Sequence, residues 1–437
     1  MKKMKFNLIL LTVLSIFSSC SDYTDGINKS PNEFTDAPGD LLIGQANLAV
    51  IKINGSQASR ISGIWTDQFT GSDRQYISLD SYIVTSGDFD DDWSDLYTGL
   101  AQSKLAETKA IENDDIFLEG VSKIMQAILL GEATSLWGDV PDSEAGDYIT
   151  SPNPLYDSQV DVFAHVQDLL TDAISKLGET TVSGTYDTGF KSEGTWSEIA
   201  HSLKARYYLV AKDYPAALSE AKSGITLGND LLSIHTSSSG SRNLYYQFIV
   251  EERGGYLTAG GPSKLHNLLS GAEPRLLVTP GDSKRKDVYF DGTELNTNVG
   301  GYFAIDSSFP LVSYIETKLI EAEAAQRANG STGSEGLIAF NEARTHLASE
   351  YSGDFPLSTS SGINLTNEIL EEKYISMIGS LQVFHDARRT NNVLSIPVKS
   401  TSATSIPQRF LYPQSEIGAN KNFPGVIGLF EKTSINN

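Results

Sequence analysis

Cysteine is almost missing from this 437-residue chain: Cys20 stands alone, so no internal disulfide can form. Histidine is scarce too, at positions 165, 201, 235, 266, 346 and 385, and no two of these share a metal-ligand spacing. Each reads as a helix-surface or hydrogen-bonded core residue. Basic side chains number 33 against 55 acids, and the resulting formal charge of −22 argues against nucleic acid, whose phosphates need a basic face. Also missing are a G-x-S-x-G elbow, a Walker phosphate loop and a G-x-G-x-x-G fingerprint. The acidic run Asp88–Asp95 lacks the glycine and final glutamate of an EF-hand, so it reads as an acid-rich helix start. No metal, cofactor or catalytic residue is expected. The carboxylate pair of a glycosidase is set in space and not in sequence, and nothing singles one out.

The amino terminus is informative. Lys2, Lys3 and Lys5 precede an apolar run over 6–17 that is too short to span a membrane comfortably. Phe17-Ser18-Ser19-Cys20 then resembles a lipobox, with Phe17 in the usual aliphatic place. Residues 1–19 are read as a lipoprotein signal peptide and Cys20 as the acylated first residue of the mature chain, held by lipid and not by a helix. Residues 20–40, rich in Asp, Asn, Pro and Gly, read as a tether.

Beyond the tether the dominant signal is helical. The stretch 195–227 reads as two short amphipathic helices joined at Asp213-Tyr214-Pro215. Ile199, Leu203, Tyr207 and Val210 share one face, as do Ala217, Leu218, Ala221 and Ile225. Small residues (Ala205, Ala217, Gly224) alternate with Tyr208 and Tyr214, which is a partial tetratricopeptide (TPR) pattern. One such hairpin cannot bury its own apolar face, so others must stack on it. Further helices are expected over 41–53, 90–110, 121–137, 159–177, 312–328 and 336–350, with one long helix over 366–389. Trp93, Trp137 and Trp196 fall on apolar helix faces and read as core. Periodicity fades over 233–310, which reads as a long, loop-rich binding region. A proline-bearing tail (397, 407, 413, 424) should lie extended over the body.

One segment suggests a ligand. Residues 59–82 mix aromatic and polar side chains without a period, and Trp65 sits near Asp67, Gln68, Arg74 and Tyr76. A sugar ring offers a flat apolar face and a rim of hydroxyls, so an aromatic platform with amide, carboxylate and guanidinium partners suits it. Trp65, Asp67, Gln68, Arg74 and Tyr76 are therefore candidate ligand-binding residues, with Tyr302, after Gly300-Gly301, as a further candidate.

Taken in order, several stretches resemble the SusD/RagB-like outer-membrane lipoproteins, in particular the starch-binding-associated subgroup. They are the Cys20 leader, Trp93–Tyr97, IMQAILLGEATSLWGDVP (124–141), the TPR-like SLKARYYLVAKDYPAALSEA (202–221) and Glu273-Pro274-Arg275. YIETKLIEAEAAQR (314–327), FHDARRTNN (384–392) and IPQRFLYPQSEIGANKNFP (406–424) complete the series. The resemblance spans essentially the whole mature chain. It implies an all-α fold: a single domain over 20–437 in which TPR-like helical hairpins form a right-handed superhelical scaffold, mainly within 90–227 and 312–390. An irregular ligand-binding part lies opposite. It also implies a non-catalytic lipoprotein facing the cell exterior, which captures oligosaccharides and hands them to a SusC-like TonB-dependent transporter. Trp137–Pro141 and Arg388-Arg389 are expected to fix the fold and to touch no ligand. Peptide capture is the alternative within the same class, marked by fewer exposed aromatics and more charged pocket residues. A surface glycoside hydrolase and a purely protein-binding TPR scaffold are the rivals outside it.

Overall fold

The computed structural model describes residues 37–147, 150–182, 184–328 and 333–437. The expected leader, Cys20 and nearly all of the tether lie outside the described residues. Residues 39–437 form one compact unit. It opens with α1 (Gly39–Gly55) and α2 (Gln57–Trp65), then a strand pair member β1 (Thr70–Gly71) and the short α3 (Gln75–Asp80). Next come α4 (Asp90–Glu112), α5 (Ile116–Trp137), α6 (Gln159–Leu177), β2 (Phe190–Lys191), α7 (Trp196–Val210), α8 (Tyr214–Ala221) and β3 (Leu231–Ser233).

Local chemistry accounts for these boundaries. At α4, Asp88 closes a capping box with Thr85 one turn upstream, and Asp90, Asp91 and Asp92 fill the positive first turn. Every acid of that run except Asp91 has a protein partner: Asp90 receives the Ser415 amide, Asp92 the Ala58 amide and Asp95 the Lys52 ammonium. Thr195 and Glu198 form a second capping box at α7, and Asp213 caps α8 with Pro215 in its first turn. Gly138, at φ 88°, ends α5 as expected from the Gly-Asp-Val-Pro stop.

Helices α1, α4, α5, α6, α7 and α8 pack each on the next, and α8 and α7 in turn pack on the later helix Tyr314–Ala328. Close approach depends on small residues. Gly131 of α5 lies so near the Tyr207 ring that a Cβ there would come within 2.3 Å of it. Ala205, Leu209, Ala217, Leu218 and Ala221 meet Ile320, Ala324 and Ala325 in one cluster, with Tyr208 and Tyr214 packed against it. The TPR-like stack is thus present, and its small and aromatic residues stand where the pattern places them.

Between Ser233 and Pro310 the chain is more ordered than the loss of periodicity suggests. It contains a helical turn at Leu244–Tyr246 running into a π-helical turn at Gln247–Glu252, then β4 (Leu257–Thr258), α9 (Lys264–Ser270) and α10 (Asp282–Tyr289). A small hairpin, β5 (Phe290–Asp291) and β6 (Glu294–Leu295), follows, then β7 (Phe309–Val312). These pieces are too short for an apolar period to repeat, which is why they escape a periodicity reading. Antiparallel pairs tie them in: β4 to β1, with Thr70 opposite Thr258, and β2–β3–β7 as a three-stranded sheet.

Helix α11 (Tyr314–Ala328) and α12 (Glu335–Glu350) form the later hairpin, with Leu319, Ala322, Ala339, Phe340 and Ala343 packed against Leu365 and Ile369. The expected single helix over 366–389 is two: α13 (Gly362–Ser376) and α14 (Gln382–Arg389). The break falls at Gly379, at φ 71°, whose N–H donates to Gln68 Oε1 (2.9 Å) instead of continuing the helix. The tail then runs extended, apart from the short α15 (Gln414–Ala419), and is stitched to the end of α5. Trp137 Nε1 donates to Leu411 O (2.8 Å), Phe410 N to Leu136 O (2.9 Å) and Tyr412 Oη to Asp139 O (2.6 Å). Arg388 joins the same knot by donating to Ser135 O and Gln408 O, so the Trp-Gly-Asp-Val-Pro stretch and Arg388 hold the fold together.

Candidate functional site

The segment that follows α2 turns sharply. Asp67, Arg74 and Tyr82 all adopt positive φ (57°, 45° and 63°), a region that non-glycine residues seldom occupy. Gly71 allows the turn to close, since a Cβ there would lie 2.0 Å from the Tyr76 carbonyl oxygen. This folded segment forms one wall of an open cleft of about 540 Å³. Residues 260–273, from β4 to just beyond α9, form a second wall, and the extended segment 395–399 a third.

Lys399 sits at the floor. Its ammonium donates to Asp80 Oδ1 (2.7 Å) and Phe69 O (2.9 Å) and pairs with Asp67 Oδ1 (3.0 Å). The second Asp67 oxygen accepts the Lys264 amide N–H (2.9 Å), and Asp80 Oδ1 also accepts the Gly71 amide (3.1 Å). Burial raises the Asp67 carboxyl above its ordinary range, and Lys399 opposes that rise without cancelling it. Tyr82, whose hydroxyl accepts the Lys399 amide, is pushed up to about 12 by burial. The Lys264 ammonium pairs with Glu273, and Arg275, two residues on, is locked to Glu371 and Glu372 of α13. The Glu273-Pro274-Arg275 motif therefore has one residue on the cleft and one anchoring that wall.

The residues singled out from sequence divide sharply. Asp67 lines the cleft. Trp65 does not: it is fully buried, ringed by Tyr82, Phe89, Phe384 and Phe410, and its indole N–H donates to Leu79 O (2.9 Å). No face is left for a sugar to stack on, because α2 is buried almost all round, its polar Ser59, Arg60 and Ser62 included. Gln68 is likewise enclosed, donating to Tyr374 O and accepting from Gly379. Tyr76 is buried against Phe248 and Tyr256 and accepts from Arg60 Nε (2.9 Å). Arg74 is exposed near Asp73 and lies off the cleft. Tyr302 is half-buried against Tyr289 and Phe303 and lines a separate, nearly closed cavity of about 30 Å³, room for a water molecule but not for a sugar. The segment was the informative unit; within it the aromatics support the wall that carries Asp67. Thr70, Asp80, Lys264, Asn267, Glu273 and Lys399 also line the cleft, and no local sequence pattern marks them as a set. Among the described residues no group of His, Cys, Asp and Glu is placed to hold a metal ion, and no helix is long and apolar enough to cross a membrane.

The fold and an open cleft on its irregular part define a class: a helical scaffold carrying a binding site. Comparison shows what the chain is similar to. A SusD-like family profile, described as starch-binding and associating with the outer membrane, matches residues 31–242. A SusD/RagB family protein from Bacteroides thetaiotaomicron superposes with a TM-score of 0.62 at 18% identity, covering 89% of this chain and 95% of that one. A chitin-binding SusD homologue from Flavobacterium johnsoniae gives 0.64 at 16%, covering 90% and 98%. A laminarin-binding SusD-like protein gives 0.64 at 15%, covering 87% and 96%. No curated protein sequence matches the chain. Over residues 31–242 the chain is thus similar to the SusD-like family, and over most of its length it shares the fold of SusD/RagB-family structures.

Proposed function

We propose that the protein is a non-catalytic surface lipoprotein that captures an oligosaccharide in the Asp67–Lys399 cleft and delivers it to a SusC-like TonB-dependent transporter. The observation that carries this reading is the match of residues 31–242 to a starch-binding family that associates with the outer membrane. Structural relatives that bind chitin and laminarin support a glycan as ligand. On this reading residues 20–437 are one functional domain, acylated at Cys20 and facing the cell exterior. The cleft suits a small hydroxylated ligand in size and in its supply of hydrogen-bonding groups.

Peptide capture is the second reading, and one observation favours it: charged side chains dominate the lining and no aromatic contributes to it. Two measurements separate the possibilities. A pull-down of the lipidated protein from outer membranes in mild detergent should bring down a large β-barrel; its absence, under conditions that preserve a known pair, removes the delivery step. Calorimetry of residues 39–437 against starch, chitin and laminarin oligomers, with mixed peptides as the comparison, should give heat only with the sugars. Heat only with the peptides transfers the cleft to the second reading.

A further inference from the structure

The cleft is unequal in what it leaves free. Three carboxylates (Asp67, Asp80, Glu273) and two ammonium groups (Lys264, Lys399) line it, and there is no arginine among the lining residues. Both ammonium groups are engaged by those same carboxylates: Lys399 by Asp67 and Asp80, Lys264 by Glu273. Both lysine side chains are only 11% exposed, which leaves little ammonium surface for a ligand. The acceptors are not used up to the same degree. Glu273 is 37% and Asp80 20% exposed, and each uses only one carboxylate oxygen in the contacts with its lysine. Thr70 spends its hydroxyl proton on Gly260 O (2.6 Å) and Asn267 commits one of its two amide hydrogens to Pro262 O (3.3 Å), so the neutral donors of the lining are partly used. The chain as a whole, at −22, adds a repulsive field for anions.

From this imbalance, and resting on the glycan-capture reading, we infer that the cleft selects oligosaccharides that donate hydrogen bonds and carry no negative charge, neutral or amino sugars, and rejects uronic-acid and sulfated glycans. A neutral sugar meets the free carboxylate oxygens with its hydroxyls, and an amino sugar adds a charge-assisted bond. A uronate brings its carboxylate against Asp80 and Glu273 with no uncommitted cation to receive it. Burying that charge unpaired is the costly alternative.

The test pairs ligands on a common backbone. The protein is titrated at low salt with oligogalacturonate and with its fully methyl-esterified form, and with neutral starch, laminarin and chitin oligomers and chitosan oligomers alongside. The expected result is binding of at least one neutral or amino oligomer and binding of the free uronate at least tenfold weaker than that of its ester, measured by competition against a bound neutral oligomer. Glu273→Gln, which removes one carboxylate and releases Lys264, should improve uronate binding by roughly five-fold, the size of a single solvent-exposed ion pair. Uronate binding as tight as that of its ester, or unchanged by Glu273→Gln where it is detectable, overturns the inference and leaves glycan capture standing. Failure of every glycan to bind overturns the capture reading and the inference with it.

Discussion

Lys399 Nζ lies 2.7 Å from Asp80 Oδ1, joining residues 319 positions apart and tying the carboxyl-terminal segment to the turn after α2. The same ammonium serves Asp67, so one lysine holds two walls of the cleft in register. Removing it leaves the Asp67 and Asp80 carboxylates near each other without the cation that bridges them. Lys399→Met is expected to lower stability by about 1–3 kcal/mol, less than a fully dry pair because the group keeps some contact with water. Urea denaturation measures this. Hydrogen exchange should locate the loosening in 66–82 and 395–400; uniform loosening across the stack would contradict the placement of the strap.

What could be read from sequence follows from how local each signal is. The hairpin helices repeat an apolar face several times, and α6 (Gln159–Leu177) has the very bounds its periodicity suggests. The break between α13 and α14 leaves no local signal because it depends on a partner far away: Gly379 turns toward Gln68, 311 positions earlier. Trp65 is buried for a related reason. Its neighbours in sequence are polar, yet its neighbours in space are Phe384 and Phe410 from the far end of the chain. The cleft is assembled from three distant segments whose charges pair only after folding, so its location could be approached from sequence while its composition could not.

Glu323 of α11 and Arg389 of α14 form a fully buried pair, with Arg389 Nη1 2.7 Å from Glu323 Oε1. Burial by itself would raise this carboxyl, but Arg389, Arg327 and Lys373 overcome it and hold it at about 2. A depressed acid contributes stability that is present above its unfolded value, about 4.3, and is lost as pH falls through the folded one. The wild-type protein should therefore lose this contribution between about pH 4.3 and 2. Glu323→Gln should cost about 3 kcal/mol at pH 7 and flatten the acid limb of the stability curve. Equal pH dependence in variant and wild type would show that the pair does not govern that limb.

Asp92 behaves in the opposite sense. Enclosed at the start of α4, its carboxyl is pushed up to about 7 by burial, against hydrogen bonds from Gln57 and the Ala58 amide (3.1 Å) and the nearby Arg60. A raised acid contributes stability that is fully present below its unfolded value, about 3.9, and is lost as pH rises from there through the folded value. Asp92→Asn retains an acceptor for Ala58 and removes the charge. Its stability relative to wild type should rise with pH, by on the order of 1–3 kcal/mol between pH 5 and pH 8. Melting temperatures of the two proteins across pH 5–8 test this, and a difference that stays flat or falls with pH would be the contrary result.

Trp65 offers the clearest separation between a structural aromatic and a ligand platform. Its ring centroid lies 5.3 Å from that of Phe410 and 5.5 Å from that of Phe384, both at steep angles, and its N–H reaches Leu79 O. Trp65→Ala should cost about 3–5 kcal/mol through the cavity it leaves. Trp65→Phe keeps most of the packing but leaves the Leu79 carbonyl without its donor, a loss of about 1–2 kcal/mol. Denaturant midpoints give both values, and sugar affinity is then measured on Trp65→Phe at a temperature where it is fully folded. Affinity within two-fold of wild type is expected, because no part of the indole reaches the cleft. A tenfold loss in the folded variant would mean that the ring turns out toward the ligand, and the aromatic platform expected from the sequence would be restored.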